Sequence, residues 1–182
     1  MSTKAAYIIT EGKFDAEFIK WILPDLTERP ETIDILAAPG YSSALSIAES
    51  VLVQTHRPVL LVIDADTTDE LRIREKRTFI EQYVRVNGMT CQVAFAVPML
   101  EVLFFADKGA LESALGKIIS DDVWTLAKLS PKTGIELLTG KSRELARRQL
   151  LENDQLRQKI EQASLINEIR DFIQVAQQPV SV

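Results

Sequence analysis

The sequence predicts an α/β fold, a mostly parallel four-stranded sheet flanked by helices, followed by a helical C-terminal extension. Three observations predict it. Short apolar runs of strand length alternate with amphipathic stretches of helix length over roughly the first hundred residues. One run, Val59-Leu60-Leu61-Val62-Ile63, is continuously apolar, as a central strand buried on both faces must be. Acidic residues stand where three of the runs end: Glu11, Asp64 with Asp66, and Glu101. That is the sheet edge at which open α/β folds build their sites.

Ala5–Thr10 forms the first strand, and Gly12 lets the backbone turn after it. Phe14, Phe18, Trp21 and Ile22 then recur at helical spacing until Pro24 stops the helix. A linker, Asp25–Pro30, leads to a second strand, Thr32–Ala37. Pro39-Gly40-Tyr41 turns the chain, and Ser42 or Ser43 caps a helix running to about Gln54. Val59–Ile63 is the third strand. Thr67 or Thr68 caps a charged helix from Asp69 to about Val86, ended by Asn87-Gly88. Cys91–Val97 is the fourth strand. Alternation of this kind implies right-handed crossovers and a parallel sheet.

Past Glu101 the pattern turns helical. Val102–Ala106 reads as a buried helical segment, followed by short helices at Ala110–Ile118 and Asp121–Lys128. Pro131–Leu138 and then Ser142–Gln177 are helical, the latter carrying Leu145, Leu150, Leu156, Ile160, Leu165, Ile169 and Phe172 on an apolar stripe. The expected division is 1–107 as the catalytic domain and 108–182 as a helical extension packed on it or on a partner. Trp21 and Trp124 are expected in the core, since neither sits in a basic aromatic cluster.

Composition narrows the chemistry. The 182 residues suffice for one α/β domain with a real core. A net charge of −5 offers no global field for nucleic acid, so any such binding must rest on a local basic patch. The single cysteine, Cys91, and single histidine, His56, exclude an internal disulfide and His- or Cys-cluster metal sites. The six mostly apolar residues before Glu11 are too few for a signal-peptide core, and no stretch reads as a membrane span, so a cytoplasmic protein is expected.

The acids carry the functional signal. Asp64 and Asp66 flank Ala65, and residues i and i+2 of an extended chain share a face. Asp15 falls in the first turn of the helix after Glu11 and can point back to the same site, which Glu101 reaches from the fourth strand. Carboxylates that converge repel one another unless a hard cation lies between them, and oxygen-only ligands select Mg²⁺ or Mn²⁺ over zinc.

Glu11-Gly12 and Asp64-Ala65-Asp66 resemble the two acidic motifs of the Toprim domain, the metal-binding fold of topoisomerases, bacterial primases and certain nucleases. Asp15, four positions after Glu11, and Pro98-Met99-Leu100-Glu101 make the overcoming-lysogenization-defect (OLD) nuclease branch the nearest similarity, over about Ala5 to Ala106. Position 68 is Thr68 where topoisomerases and primases usually carry a third acid, and no tyrosine-bearing cleavage domain is present. The resemblance implies a Mg²⁺- or Mn²⁺-dependent nuclease acting on DNA or RNA by a two-metal mechanism. Glu11, Asp64 and Asp66 would hold one ion, Asp15 and Glu101 would help hold a second, and Lys132 would neutralise charge on phosphorus.

It also implies a partner: OLD proteins usually carry an ATPase, here absent, so a separately encoded ATPase of a phage-defence pair is expected, and a homodimer is a further option. A non-cleaving binding subunit active only in a complex is the alternative. Lys13, Arg72, Arg74, Lys76 and Arg77 are candidates for contact with nucleic-acid phosphates, with Lys141, Arg143, Arg147 and Arg148 as a second patch. Thr139-Gly140-Lys141-Ser142, with Gly134 upstream, departs from phosphate-loop spacing and follows no strand, and reads as a helix boundary.

Overall fold

The structure is a computed structural model that describes residues 4–25, 32–86 and 88–177. Most of the linker expected after Pro24, and Asn87, lie outside the described residues. Strands β1 (Ala6–Thr10), β2 (Ile33–Ala37), β3 (Val59–Asp64) and β6 (Gln92–Ala96) pair in parallel in the order β2-β1-β3-β6. The fold is thus α/β with a four-stranded parallel sheet flanked by helices. Helix α1 (Lys13–Ile22) covers one face of the sheet, while α2 (Tyr41–Thr55) and α3 (Glu70–Tyr83) cover the other.

Side-chain alternation divides the interior accordingly. Ile8, Leu60, Val62 and Ala94 point toward Phe18, Ile19 and Ile22 of α1. Ile9, Leu61, Ile63 and Val93 point toward Ala44, Ala48 and Leu52 of α2 and Ile80 of α3. Val59–Ile63 is buried throughout, as its unbroken apolarity requires.

Two helix caps differ from expectation. Helix α2 starts at Tyr41 after Gly40, whose φ of 104° suits only glycine, and neither Ser42 nor Ser43 serves as its cap. Helix α3 is capped by Asp69, which accepts from the Leu71 and Arg72 amides at 2.9 and 3.4 Å. Thr67 instead accepts from the Asp69 amide at 3.1 Å. A small hairpin, β4 (Arg85–Val86) with β5 (Met89–Thr90), was not foreseen between α3 and β6.

The last third begins with a 3-10 helix, Leu100–Phe105, and continues through α4 (Lys108–Leu115), α5 (Asp121–Leu129) and α6 (Pro131–Thr139). The long helix expected over Ser142–Gln177 is three helices: α7 (Arg143–Leu151), α8 (Asp154–Ile160) and α9 (Ser164–Gln177). Asn153 causes the first break by accepting from the Leu156 amide at 2.8 Å, which starts a new helix. An unbroken helix of that length would run roughly 50 Å and leave the domain. The breaks fold Leu150, Leu156, Ile160, Ile169 and Phe172 into the same core as α1.

The last third therefore shares a core with the sheet. Trp21 and Trp124 pack at its margin, against Phe18 and Phe105 at ring separations of 5.5 and 5.4 Å. Among the described residues, no helix is long and apolar enough to cross a membrane.

Candidate metal site at the carboxyl edge of the sheet

Strand order places the site. From β1 the chain moves to β2 through α1 on one face, and from β2 to β3 through α2 on the other. The crevice where the order reverses lies between the carboxyl ends of β1 and β3. Glu11 follows β1, and Asp64 is the last residue of β3. Backbone bonds fix both loops: the Gly40 amide donates to the Glu11 carbonyl at 2.8 Å, and the Asp66 amide to the Pro98 carbonyl at 2.8 Å. Thr10, fully buried, donates its hydroxyl to the Gly12 carbonyl at 2.9 Å.

Three carboxylates act on one another here. Burial pushes the Asp15 carboxyl up to about 7, helped by Asp64 and Glu101 and opposed by Arg147. Glu11 is raised by burial and then by Asp64 and Asp66, with Lys76 opposing. Among the described residues, its Oε1 is buried without a hydrogen-bond partner. Asp64 is raised by burial against the pull of Lys132 and the Leu100 amide, which donates to Oδ1 at 2.9 Å.

Cations from distant segments close on these acids. Lys132, in the first turn of α6, donates to Asp64 Oδ2 at 3.1 Å across 68 residues of chain. Burial works against its charge, but Glu101 and Asp64 outweigh that and hold its pKa above the ordinary lysine value. Glu101 is buried, and Arg147 of α7 forms an ion pair with it. The Arg147 guanidinium lies 3.9 Å from the centre of the Phe14 ring.

Lys76 of α3 donates to the Asp64 carbonyl at 2.8 Å and stands 3.5 Å from Asp66 Oδ2. Asp66 itself is exposed, at a φ of 58°. Among the described residues, no three acidic, histidine or cysteine side chains stand close enough together to ligate one ion as placed. Glu11, Asp15 and Asp64 are coupled by charge, whereas Glu101 is held by Arg147 and Asp66 faces Lys76.

The basic residues of α3 are not one phosphate-facing row. Arg72 pairs with Asp69 at 3.7 Å and Arg74 is exposed, but Lys76 turns inward and Arg77 donates to the Val93 carbonyl. Lys13 is exposed beside the site. In the second patch Lys141 is exposed, Arg143 stands 3.6 Å from Glu136, and Arg148 bonds Glu144 at 2.6 Å. Gly140 ends α6 in the left-handed conformation, so Thr139-Gly140-Lys141-Ser142 is a helix boundary. Gly134 serves packing: a Cβ there would meet the Ala127 carbonyl oxygen of α5 at 2.6 Å.

The pairing of Arg147 with Glu101 and the inward turn of Lys76 were missed as site features. No local signal announces either, because both depend on where α7 and α3 dock.

A parallel sheet in this order, with acids crowded at the switch point, defines a Rossmann-like domain with an acid-lined crevice. Neither a family model nor a curated protein matches the sequence. Among solved structures the chain is similar to the C-terminal region of the Burkholderia pseudomallei OLD protein, with a TM-score of 0.52 at 14% identity. The match covers 95% of this chain and 98% of that one, so the OLD-like fold extends past the Ala5–Ala106 segment and includes the helical last third.

Proposed function

We propose that the chain is a divalent-cation-dependent nuclease of the OLD-like Toprim kind, hydrolysing phosphodiester bonds of DNA or RNA with Mg²⁺ or Mn²⁺. The observation that carries this reading is the crowding of Glu11, Asp15 and Asp64 at the switch point of an OLD-like fold, one Glu11 oxygen being buried without a partner among the described residues. Carboxylates that raise one another's pKa are a cost to folding that a hard cation reverses.

The donor set fits such an ion in part. Glu11, Asp15 and Asp64 would hold it after drawing closer together than they stand, and Asp66 and Glu101 would join them on parting from Lys76 and Arg147. A bound divalent ion supplies Lewis-acid activation of water and neutralises charge at phosphorus. The chain's own contribution is separate. Lys132 favours the ionised form of Asp64 and holds an ammonium beside it that would neutralise charge on a phosphoryl group. Partial burial strengthens both effects by lowering the local dielectric. OLD proteins, which the chain resembles, usually carry an ATPase, and a separately encoded ATPase is the partner we propose.

The test is cleavage of supercoiled plasmid, linear DNA and structured RNA by purified protein with Mg²⁺ or Mn²⁺, against Asp64→Asn/Asp66→Asn at matched folded concentration. Metal-dependent cutting lost in the variant supports the nuclease. Metal binding without cutting by the wild type points to a subunit that acts only with its partner. Neither binding nor cutting overturns the reading.

A further inference from the structure

Beside the acid cluster, between the first turn of α1 and helix α7, lies a cavity of about 360 Å³. Lys13 and Phe14 line it from α1, and Arg147 and Arg148 from α7, with Glu17 and Glu144 also in its wall. Its position follows from the fold. Lys13 and Phe14 directly precede Asp15, and Arg147 joins the cavity to the cluster through its ion pair with Glu101. A group bound there is a neighbour of whatever the acids engage.

The lining chemistry suits a single anion. Three cations against two carboxylates leave a net charge of one, and Arg147 shares its own with Glu101. Arg147 is fixed on two sides, by Glu101 and by the Phe14 ring. A guanidinium held in this way gives up little further side-chain freedom when it meets an anion. Among the described residues Arg148 is engaged by Glu144, one turn away on the same helix, and both side chains are largely exposed. Such pairs contribute little, and a phosphate oxygen competes with them easily. Lys13 is exposed on the opposite wall.

We infer that this cavity is a subsite for one backbone phosphate of a nucleic-acid strand, adjacent to the phosphate presented to the acid cluster. The inference rests on the nuclease reading and names what that reading leaves open, the residues that hold the flanking strand. They are Lys13, Arg147 and Arg148, drawn from both basic groups of the sequence, and not the row on α3.

The test uses a fluorescein-labelled single-stranded DNA 12-mer, with binding followed by anisotropy in Ca²⁺ across a salt series and cleavage followed in Mg²⁺. Lys13→Ala/Arg148→Ala removes two exposed cations and leaves Arg147 on Glu101. Lys20→Ala/Lys117→Ala removes the same charge elsewhere on the surface. The first variant is expected to weaken binding about tenfold and to lower the salt slope by about 0.7 for one lost phosphate contact. The second is expected to stay within about twofold of wild type. Equal effects of the two, or none, in a wild type that cuts overturn the subsite and leave the nuclease standing. A wild type that neither binds the strand nor cuts it overturns the subsite, and the nuclease reading falls with it when plasmid, linear DNA and structured RNA also stay uncut.

Discussion

The two ends of the parallel sheet differ in a way that bears on how a site is recognised. At the amino ends of β3 and β6 the helices α3 and α9 straddle the edge strand and leave a cavity of about 440 Å³. Its wall includes the carboxylates Glu168 and Asp171, which are exposed to water, and Arg77, committed to the Val93 carbonyl. At the carboxyl end, beneath Asp15 and Asp64, there is almost no free volume. Yet that is where carboxylates raise one another's pKa and cations arrive from far along the chain. Space arises wherever two helices flank an edge. Confined charge costs free energy and persists only where something else is gained by it.

The contrast can be tested by perturbing one end and then the other. The largest effect is expected at the carboxyl edge: Asp64→Asn/Asp66→Asn should lower metal-dependent cleavage by about a thousandfold or more, and Lys132→Ala by about a hundredfold, read as single-turnover rates. A fall of less than about tenfold in both would detach the acids from catalysis.

Next in size, Gly134→Ala should destabilise the fold by roughly 1–3 kcal/mol in urea denaturation, because its methyl group collides with the Ala127 backbone. The same change displaces α6 and with it Lys132, so cleavage should fall further than stability alone explains.

Asp15→Asn is the third case, with the opposite sign. An acid whose native pKa of about 7 exceeds its unfolded value near 3.8 binds its proton more tightly when folded. Stability is therefore lost as pH rises from the unfolded value and levels off above about 7. Removing the carboxylate should stabilise the metal-free protein near pH 8 by up to about 4 kcal/mol, at about 1.4 kcal/mol for each of about three pKa units, and by almost nothing near pH 3.5. Stabilisation of the wild type by Mg²⁺ should grow over the same rise to about pH 8, as the ion competes with that proton, and should be weaker in the variant. A destabilised Asp15→Asn would overturn the claim that this carboxylate is crowded.

The smallest effect belongs to the other end. Glu168→Gln/Asp171→Asn should change stability by less than about 0.5 kcal/mol and leave cleavage within about twofold.

How far the sequence could be read follows the range of the forces involved. The strands β1, β3 and β6 were legible because burial on two faces forces an apolar run, and the acids at their ends because a charge must leave the core where the run stops. The split of Ser142–Gln177, expected as one helix, was less legible, since Asn153 is an ordinary polar residue until its side chain meets the Leu156 amide. The cap of α3 went to Asp69 over two threonines that were equally plausible by type. At the site, Glu11, Asp15, Asp64 and Lys132 were named from motifs and do meet through charge. The grip of Arg147 on Glu101 depends on how α7 docks 46 residues away, and nothing near either residue encodes it. The basic residues of α3 show the same limit. Periodicity places Lys76 and Arg77 on a helix, but the buried carbonyls of Asp64 and Val93 decide where their charges go.

One feature of the turn after β3 bears on what substitution can do there. Asp66 sits at a φ of 58°, in the left-handed region that admits glycine, asparagine and aspartate at little cost and strains most other side chains. The position thus has a narrow alphabet of replacements, set by backbone geometry before chemistry is considered. Glutamate, which preserves the charge, distorts the turn, whereas asparagine discards the charge and inherits the turn intact. Loss of function in Asp66→Glu would report on shape, and in Asp66→Asn on charge, so the pair separates the two at a single residue.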